Sequence, residues 1–412
     1  MSTTMPRPAL DAPTDDWLVY ADTLQQAGDP RGELIVLHHE VEKGGRPKKR
    51  DGFIAEHAAM LLGPAARHQE VYRLTWKWCL IEAAELRVDG DSVGEAEAAL
   101  TALFAAPAAE SLHSLTLTGV VDRGEEPIDL SAAVAALATA WPASCKSLRL
   151  IDQRAEKCTR LVSRDWEPGE NLVRFGELGA VLALPGLESL HITTADPHAL
   201  RLGAPDDPDD QIKAPDLRHF TLHGLRYAEA YGNEPLDLST DLAQASWPHL
   251  ESFDLRIPET WVASYVEDSD AYHTPYSDMD IAPDHHDELD DGDNEGVNWS
   301  RELGPLLASL SSLPLKRLAL TSFDSADTLV QALVSHGLPA TLEELDLSQS
   351  SLSSREVATL LGHRQLLGNL KTLDIRQTRV SKKNAEKLAE IIPEVRHSSG
   401  GGAVHRYIVG ME

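Results

Sequence analysis

Three histidines and one aspartate have residue types that could support metal or proton chemistry. His191, His219, His223 and Asp254 occupy equivalent places in successive segments of the chain. Neutral imidazole binds transition metals, and histidine is the side chain that changes charge between about pH 5 and 8. The alternative interpretation is a set of hydrogen-bonding surface histidines. We assign no metal ligand, because the grouping depends on repeat register alone.

One further pattern matches a catalytic motif by its letters. Gly90-Asp91-Ser92-Val93-Gly94 fits Gly-x-Ser-x-Gly, the sharp turn that exposes a hydrolase nucleophile. Gly, Asp and Ser are also ordinary turn and cap residues, and we favour that interpretation. The chain has no Walker A loop, no His-Glu-x-x-His and no Cys-x-x-Cys. The sequence therefore predicts a non-enzymatic protein with no catalytic residue and no cofactor.

The histidines are positioned by a phrase that recurs along the chain, Leu-x-x-Leu-x-Leu. Clear copies begin at Leu112, Leu187, Leu217, Leu250, Leu315, Leu342 and Leu370, and weaker copies begin at Ile81, Cys145 and Val404. Apolar positions 4 and 6 alternate with polar positions 3, 5 and 7, which predicts a half-buried strand in each copy. Helical patterns fill most of the gaps, as at 95–104, 131–140, 326–335 and 354–361. The chain is therefore predicted to be an α/β solenoid with a curved parallel sheet inside and helices outside.

The same alternation predicts which side chains face the concave side of the sheet. Adjacent parallel strands lie about 4.8 Å apart, so residues at positions 3, 5 and 7 form ladders across them. The candidate partner-binding residues on these ladders are His191, His219, Thr221, His223, Asp254, Arg256, Arg317, Glu344, Asp346, Asp374 and Arg376. Concave repeat surfaces commonly dock other proteins, and the alternative is an ordinary solvated sheet surface.

The N-terminal part is predicted to be helical. Residues 1–13 contain Pro6, Pro8 and Pro13 and are expected to form a flexible tail. Capping residues, prolines and glycines predict helices at about 14–27, 29–43 and 51–62. We therefore expect a small helical domain at 14–75 and a repeat domain at 76–412.

Unequal gaps between the strands locate an acidic loop insertion at about 260–298. Residues 267–295 contain twelve acidic residues, three histidines and no lysine or arginine. Like charges repel and the segment has little apolar area to bury, which predicts a mobile loop on the rim of the array. Its nearest approach to a calcium motif, at 287–298, lacks the required glutamate at position 12.

The composition restricts the partners and the compartment. The chain has 412 residues and a formal net charge of −29, which argues against broad contact with nucleic acid or an anionic membrane and favours a basic protein partner. Cys79, Cys145 and Cys158 are odd in number and form no disulfide framework, as expected in a reducing compartment. No segment has the pattern of a secretory signal or a transmembrane helix. We therefore expect a cytoplasmic protein.

These residues resemble bacterial leucine-rich repeat proteins. The 27- and 28-residue units near the C-terminus are similar to ribonuclease-inhibitor-like repeats. That family often has Asn three residues after the third Leu. This chain has Val120, Phe323, Ser350 and Thr378 there, and only the two hydroxyls could replace the amide.

The N-terminal region adds a second resemblance. The runs at 18–24 and 28–35, together with Trp76-Lys77-Trp78, resemble a repeat-companion domain found ahead of bacterial leucine-rich repeats. That resemblance implies no reaction. The two resemblances together cover about residues 14–412.

The sequence thus predicts a protein-recognition or scaffold protein that binds its partner on the concave sheet, with the acidic loop steering a basic partner. Two other functions stay open. One is an accessory or substrate-positioning subunit of a neighbouring enzyme. The other is a metal- or pH-responsive sensor that uses the histidine cluster.

Overall fold

The computed structural model describes residues 6–121, 126–153, 155, 173–194, 200, 202, 212–224, 227–228, 237–257, 260–261, 298–323 and 325–398. The structure is α/β and contains a long sheet of eleven strands, mostly parallel. The chain divides into two compact units: residues 1–153 with 169–191, and residues 154–168 with 192–412. In the described part of the chain, no helix combines the length and the apolar character needed to cross a bilayer.

Helices open the first unit. They are α1 (Thr14–Gln26), α2 (Arg31–Glu42), α3 (Pro47–Glu56) and α4 (Ala58–Leu62), followed by a 3-10 helix (Gly63–Val71). The first two helices confirm the sequence prediction, whereas the predicted helix at 51–62 is two helices that meet at His57. The fully buried Trp17 stacks on Trp78, with ring centroids 5.4 Å apart.

Contacts hold part of the segment that was predicted to be a flexible tail. The indole Nε1 of Trp17 donates a hydrogen bond to the carbonyl oxygen of Ala9, and Arg7 forms an ion pair with Glu110. The described residues that precede α1 are therefore fixed to the first unit. Residues 1–5 lie outside the described part.

The strands of the first unit begin with an antiparallel pair. This pair is β1 (Tyr72–Lys77) and β2 (Leu80–Val88), and parallel strands β3 (Ser114–Gly119) and β5 (Ser147–Asp152) follow. The short strands β4 (Ile128–Asp129) and β6 (Val173–Arg174) pair separately, and β7 (Ser189–Thr194) contains the division between the units. The helices are α5 (Ala96–Phe104), α6 (Ser131–Ala140) and α7 (Gly179–Leu182), with 3-10 turns at Val93–Glu95 and Pro107–Ser111. The sequence did not predict β1, and the expected domain boundary at 75/76 falls inside it.

The second unit is a run of parallel strands with helices between them. Its main strands, in order, are β8 (His219–Gly224), β10 (Ser252–Arg256), β12 (Arg317–Thr321), β13 (Glu344–Asp346), β14 (Thr372–Asp374) and β15 (Glu394–Arg396). A short pair consists of β9 (Tyr227–Ala228) and β11 (Thr260–Trp261). The helices are α8 (Asp237–Gln244), α9 (Trp299–Glu302), α10 (Gly304–Leu310), α11 (Ala326–His336), α12 (Ser354–Gly362), α13 (Arg364–Leu367) and α14 (Lys382–Ala389).

The apolar letters of the recurring phrase form the core. Leu217, Phe220 and Leu222 of one copy are fully buried, as are Leu315, Leu318 and Leu320 of another. Strand pairing keeps equivalent positions opposite each other, for example Phe253 beside Leu318. Nine of the ten predicted strands are present. The tenth, at 404–409, lies outside the described residues, as do residues 262–297 of the predicted acidic loop.

β15 was not predicted. It continues the register of β14, so that Val395 pairs with Leu373 at position 4 of the phrase. The fully buried Ile392 takes position 1, but His397 stands where the third Leu would be. Because position 6 is not apolar, the sequence pattern did not reveal this repeat, which begins only 22 residues after Leu370.

Charged residues alternate in sign at the strand starts of the second unit. Arg218, Glu251, Lys316, Glu343 and Lys371 occupy position 2 in successive repeats, and we call them the strand-start ladder. The backbone N–H of each donates to the carbonyl oxygen of the one before it, at 2.7–2.9 Å. Glu251 pairs with Arg218 at 2.6 Å and with Lys316 at 2.7 Å, and Lys371 pairs with Glu343 at 2.8 Å. Backbone bonds therefore join each of these five residues to the next, and ion pairs join three of the four neighbouring pairs.

The turn after each of β12, β13 and β14 uses a left-handed residue that is not glycine. Ser322, Gln349 and Gln377 have φ of 69°, 61° and 57°. Ser350 directly follows Gln349. Its buried hydroxyl accepts a hydrogen bond from the backbone N–H of Phe323 in the preceding repeat, at 3.1 Å. The prediction that the Ser350 hydroxyl bonds backbone between neighbouring turns is thus confirmed. Among the described residues, the Thr378 hydroxyl bonds within its own turn.

Candidate functional site

Polar side chains at positions 3 and 5 of β10 and β12–β15 lie on one side of the second unit's sheet. Period-two alternation puts the apolar positions 4 and 6 into the core and leaves these side chains on the other surface. We call this surface the charged face. It consists of Asp254, Arg317, Glu344, Asp346, Asp374, Glu394 and Arg396, with His223 and Arg376 at position 7.

Arg317 is at the centre of the charged face. Its Nη1 lies 3.2 Å from Oδ2 of Asp254 on β10, and its Nε lies 3.5 Å from Oε1 of Glu344 on β13. Its Nη2 lies 3.6 Å from Oδ2 of Asp346, also on β13. One planar guanidinium thus bridges three strands, which a lysine could not do because its charge is a single point.

The network continues beyond Arg317 in both directions. Nε2 of His223 on β8 lies 3.5 Å from Oδ1 of Asp254. On the other side, Arg396 of β15 approaches Glu344 at 3.4 Å and Glu394 at 2.9 Å. The charged side chains are therefore linked from β8 to β15. Sequence reasoning did not find Glu394 and Arg396, because it did not predict their strand.

Two aspartates on this face have opposite electrostatic environments. Burial alone would raise the pKa of Asp254, but hydrogen bonds and charge from His223 and Arg317 outweigh burial and hold that pKa below its ordinary value. At Asp346 burial dominates, and the negative charge of Asp374 on the next strand adds to it. The pKa of Asp346 is therefore raised, despite its hydrogen bonds from Ser348. Asp254 favours its charged form, whereas Asp346 carries its charge at a cost.

Asp374 does not present its carboxylate to solvent. Its side chain is 1 % exposed, and Arg376 covers it with a two-pronged ion pair, Nε to Oδ1 at 3.0 Å and Nη2 to Oδ2 at 2.5 Å. The backbone N–H of Arg376 also donates to Oδ1. Of the predicted candidates, Asp374 therefore lies buried beneath the charged face, whereas the exposed Arg376 is part of its surface.

Arg256 is held by neutral acceptors. Its Nε donates to Oγ of Ser322 at 3.3 Å, and its Nη2 donates to Oε1 of Gln349 at 3.1 Å. Both partners are left-handed turn residues of later repeats. Their contribution could not be predicted from the sequence, because no glycine marks these turns.

The predicted histidine cluster is only partly contained in the charged face. His219 is exposed on β8, opposite Ser252, and His223 contacts Asp254, while His191 belongs to the first unit. Within the described ranges, no group of three or more His, Cys, Asp or Glu residues is arranged to hold a metal ion. Thr221 lies between His219 and His223 on β8, where it is half-buried and opposite Asp254.

The serine of the hydrolase-like motif is engaged in a local turn. Oγ of Ser92 lies 2.7 Å from Oδ1 of Asp89 and accepts the backbone N–H of Asp89 at 2.9 Å. The backbone N–H of Ser92 donates back to the same carboxylate at 3.0 Å. This reciprocal bonding between Asp89 and Ser92 is typical of an ordinary turn, here between a strand and a helix.

The loop at Asp29–Arg31 is also closed locally. Arg31 contacts both carboxylate oxygens of Asp29, and Glu33 accepts from Gln25 at 3.4 Å. Gly32 packs against α1, where an added Cβ would lie 2.6 Å from the carbonyl oxygen of Ala21. These residues join α1 to α2 closely.

Comparison with known proteins identifies no family for this chain. No family model matches it, and no curated protein matches it. Among solved structures, it is similar to a structural-genomics protein from Bacteroides fragilis, at 18 % sequence identity and a TM-score of 0.46, over 71 % of this chain and 67 % of that one.

Proposed function

We propose that this chain is a bacterial, cytoplasmic leucine-rich repeat protein with an N-terminal repeat-companion domain, and that it recognises another protein on the charged face. The observation that carries the proposal is the network around Arg317, which fixes charged side chains on neighbouring strands at 3.2–3.6 Å from one another. A docking surface gains affinity when its groups are fixed before the partner arrives.

Fold stability alone does not account for this network. Partly exposed ion pairs contribute only about 0–1 kcal/mol each, and a hydrophobic or neutral polar sheet surface would fold as well. Charges of both signs in fixed positions instead suit selection of one partner over others. The partner should therefore present complementary charges of both signs.

The net charge and the cysteines support the remaining parts of the proposal. A formal charge of −29 steers a basic protein toward the chain at long range. Cys79 and Cys145 are free and buried, as expected for a protein from a reducing compartment. No observation favours the accessory-subunit or sensor alternatives over recognition.

The proposal is tested with one pair of matched variants. Thr221→Arg places a long cation on the charged face without removing any ion pair, and Thr359→Arg makes the same change on α12 of the same unit. Each tagged variant and the wild-type chain capture proteins from the native host, and binding of any captured protein is then measured with purified components. A partner that Thr221→Arg loses and Thr359→Arg keeps would support the proposal. Equal binding by both variants would exclude this face.

A further inference from the structure

The last described part of the chain has the opposite charge from the rest. Residues 351–398 contain nine lysines and arginines and five aspartates and glutamates, in a chain whose formal net charge is −29. Three of the lysines are exposed on α14. We call these three the basic patch: Lys382, Lys383 and Lys387.

The lysines of the basic patch lie on the solvent side of α14. Ala385 and Leu388 form the buried side of α14, so Lys383 and Lys387, one turn apart, are neighbours on its solvent side. Lys383 and Lys387 repel each other at this spacing, whereas Glu386 (three residues after Lys383) and Glu390 (three after Lys387) lie where opposite charges attract. Lys382 and Lys383 lie in the first helical turn, where the helix dipole disfavours cations. Among the described residues, no carboxylate lies within ion-pair distance of the three lysines. In the described part of the chain, the three ammonium groups therefore form no close ion pair and are open to a partner.

The surroundings of the basic patch indicate which anionic partner it fits. The large hydrophobic side chains that are exposed in the described residues are Val19 and Met60, both in the first unit. Among the described residues, the patch therefore has neither an exposed aromatic ring to stack on a base nor an apolar anchor to enter a membrane. The strong negative charge of the whole chain also repels an extended polyanion, whereas a short acidic peptide needs only a local cluster of cations.

We propose that the basic patch docks an acidic segment of a partner protein. The lysine ammonium groups would form charge-assisted hydrogen bonds with aspartate and glutamate side chains of that segment. This surface is separate from the charged face, so the inference goes beyond the proposed function.

The test measures binding of a fluorescently labelled oligoglutamate peptide to the full chain by anisotropy. The variant carries Lys382→Glu, Lys383→Glu and Lys387→Glu together. The matched control carries Lys48→Glu, Lys49→Glu and Arg50→Glu on α3, where the first two also lie in a first helical turn. We expect peptide binding on the order of tenfold weaker in the patch variant and within about twofold in the control. An equal loss in both would show that net charge alone acts, and would overturn the proposal.

Glutamates in a first helical turn favour the helix dipole, so the patch variant should fold, which circular dichroism checks. Thr221→Arg should leave peptide binding unchanged, which separates this test from that of the charged face. Tighter patch-dependent binding of a single-stranded oligonucleotide or of phosphatidylserine vesicles would overturn the proposal.

Two further results would assign the patch to another occupant and also overturn the proposal. One is a rise in peptide affinity when residues 267–295 are deleted, which would show that the chain's own acidic segment covers the patch. The other is self-association, measured by sedimentation, that the patch variant abolishes.

Discussion

Replacing Arg317 with methionine tests whether the charged face is one connected network. Methionine keeps much of the aliphatic contact of the arginine stem and removes the guanidinium. Asp254, Glu344 and Asp346 would then lie near one another without the cation they share. We expect Arg317→Met to lower the free energy of unfolding.

The magnitude follows from the distances and the exposure. At an effective dielectric constant of about 20, each of the three contacts is worth roughly 4–5 kcal/mol before desolvation and screening. The Arg317 side chain is 33 % exposed. Its ion pairs are therefore intermediate between exposed pairs, which contribute about 0.2–1 kcal/mol, and buried pairs, whose rupture costs about 3–5 kcal/mol. We therefore expect a loss of about 2 kcal/mol for Arg317→Met. Arg317→Lys should cost about half of that, because one ammonium cannot serve three carboxylates.

Urea unfolding followed by tryptophan fluorescence measures these losses. The matched control is Arg218→Met, since Arg218 is 49 % exposed and, among the described residues, pairs with Glu251 alone; it should cost less than about 1 kcal/mol. The Arg317→Met penalty should also shrink as pH falls through about 4, because protonation removes the repulsion among the carboxylates. A penalty for Arg317→Met no larger than that of Arg218→Met, or one independent of pH, would refute the network.

Four further predictions follow from the contacts and the burial described above. Asp254→Asn should destabilise the fold by about 1–2 kcal/mol at pH 7. Because the pKa of Asp254 is depressed in the fold, the difference from wild type should begin to shrink near pH 4 and disappear only as pH falls through that depressed pKa. Asp346→Asn should be neutral or slightly stabilising at pH 7, since the raised pKa of Asp346 means that its negative charge destabilises the fold and protonation relieves this. Urea unfolding midpoints measured across pH test the Asp254 and Asp346 predictions, and equal losses of stability in the two variants would contradict them. Ser350→Ala should cost about 1–3 kcal/mol by leaving a buried backbone N–H unpaired, and an unchanged unfolding midpoint would show that another group replaces the hydroxyl. Burial raises the pKa of Cys79 to about 11 and that of Cys145 to about 12, so iodoacetamide at pH 8 should label neither until denaturant is added. Peptide mapping locates the label, and rapid labelling of Cys79 or Cys145 in the folded chain would contradict this prediction.

The strands could be predicted from the sequence because burial imposes a strict alternation on them. Each predicted copy of the phrase that lies in the described residues formed a strand in the expected register. β1 was missed although Tyr72, Leu74 and Trp76 alternate, because an antiparallel strand there does not follow the repeat phrase. β15 was missed because His397 replaces an apolar letter.

The candidate face could be predicted only in outline. Alternation showed that Asp346 and Asp374 lie on one side of the sheet, but not that Arg376 folds back over Asp374 and buries it. Long side chains reach across strands in ways that spacing does not specify, as Arg317 does. The left-handed turns at Ser322, Gln349 and Gln377 were also hidden, because such backbone is expected mainly of glycine.

The strand-start ladder limits how this array can change during evolution. Its signs run positive, negative, positive, negative, positive from Arg218 to Lys371. Deleting the single repeat that begins at Leu315 would place Glu251 beside Glu343, two like charges on adjacent strands, whereas deleting two consecutive repeats would restore opposite signs. Recombination that gains or loses repeats in pairs should therefore be tolerated better than recombination that shifts the array by one.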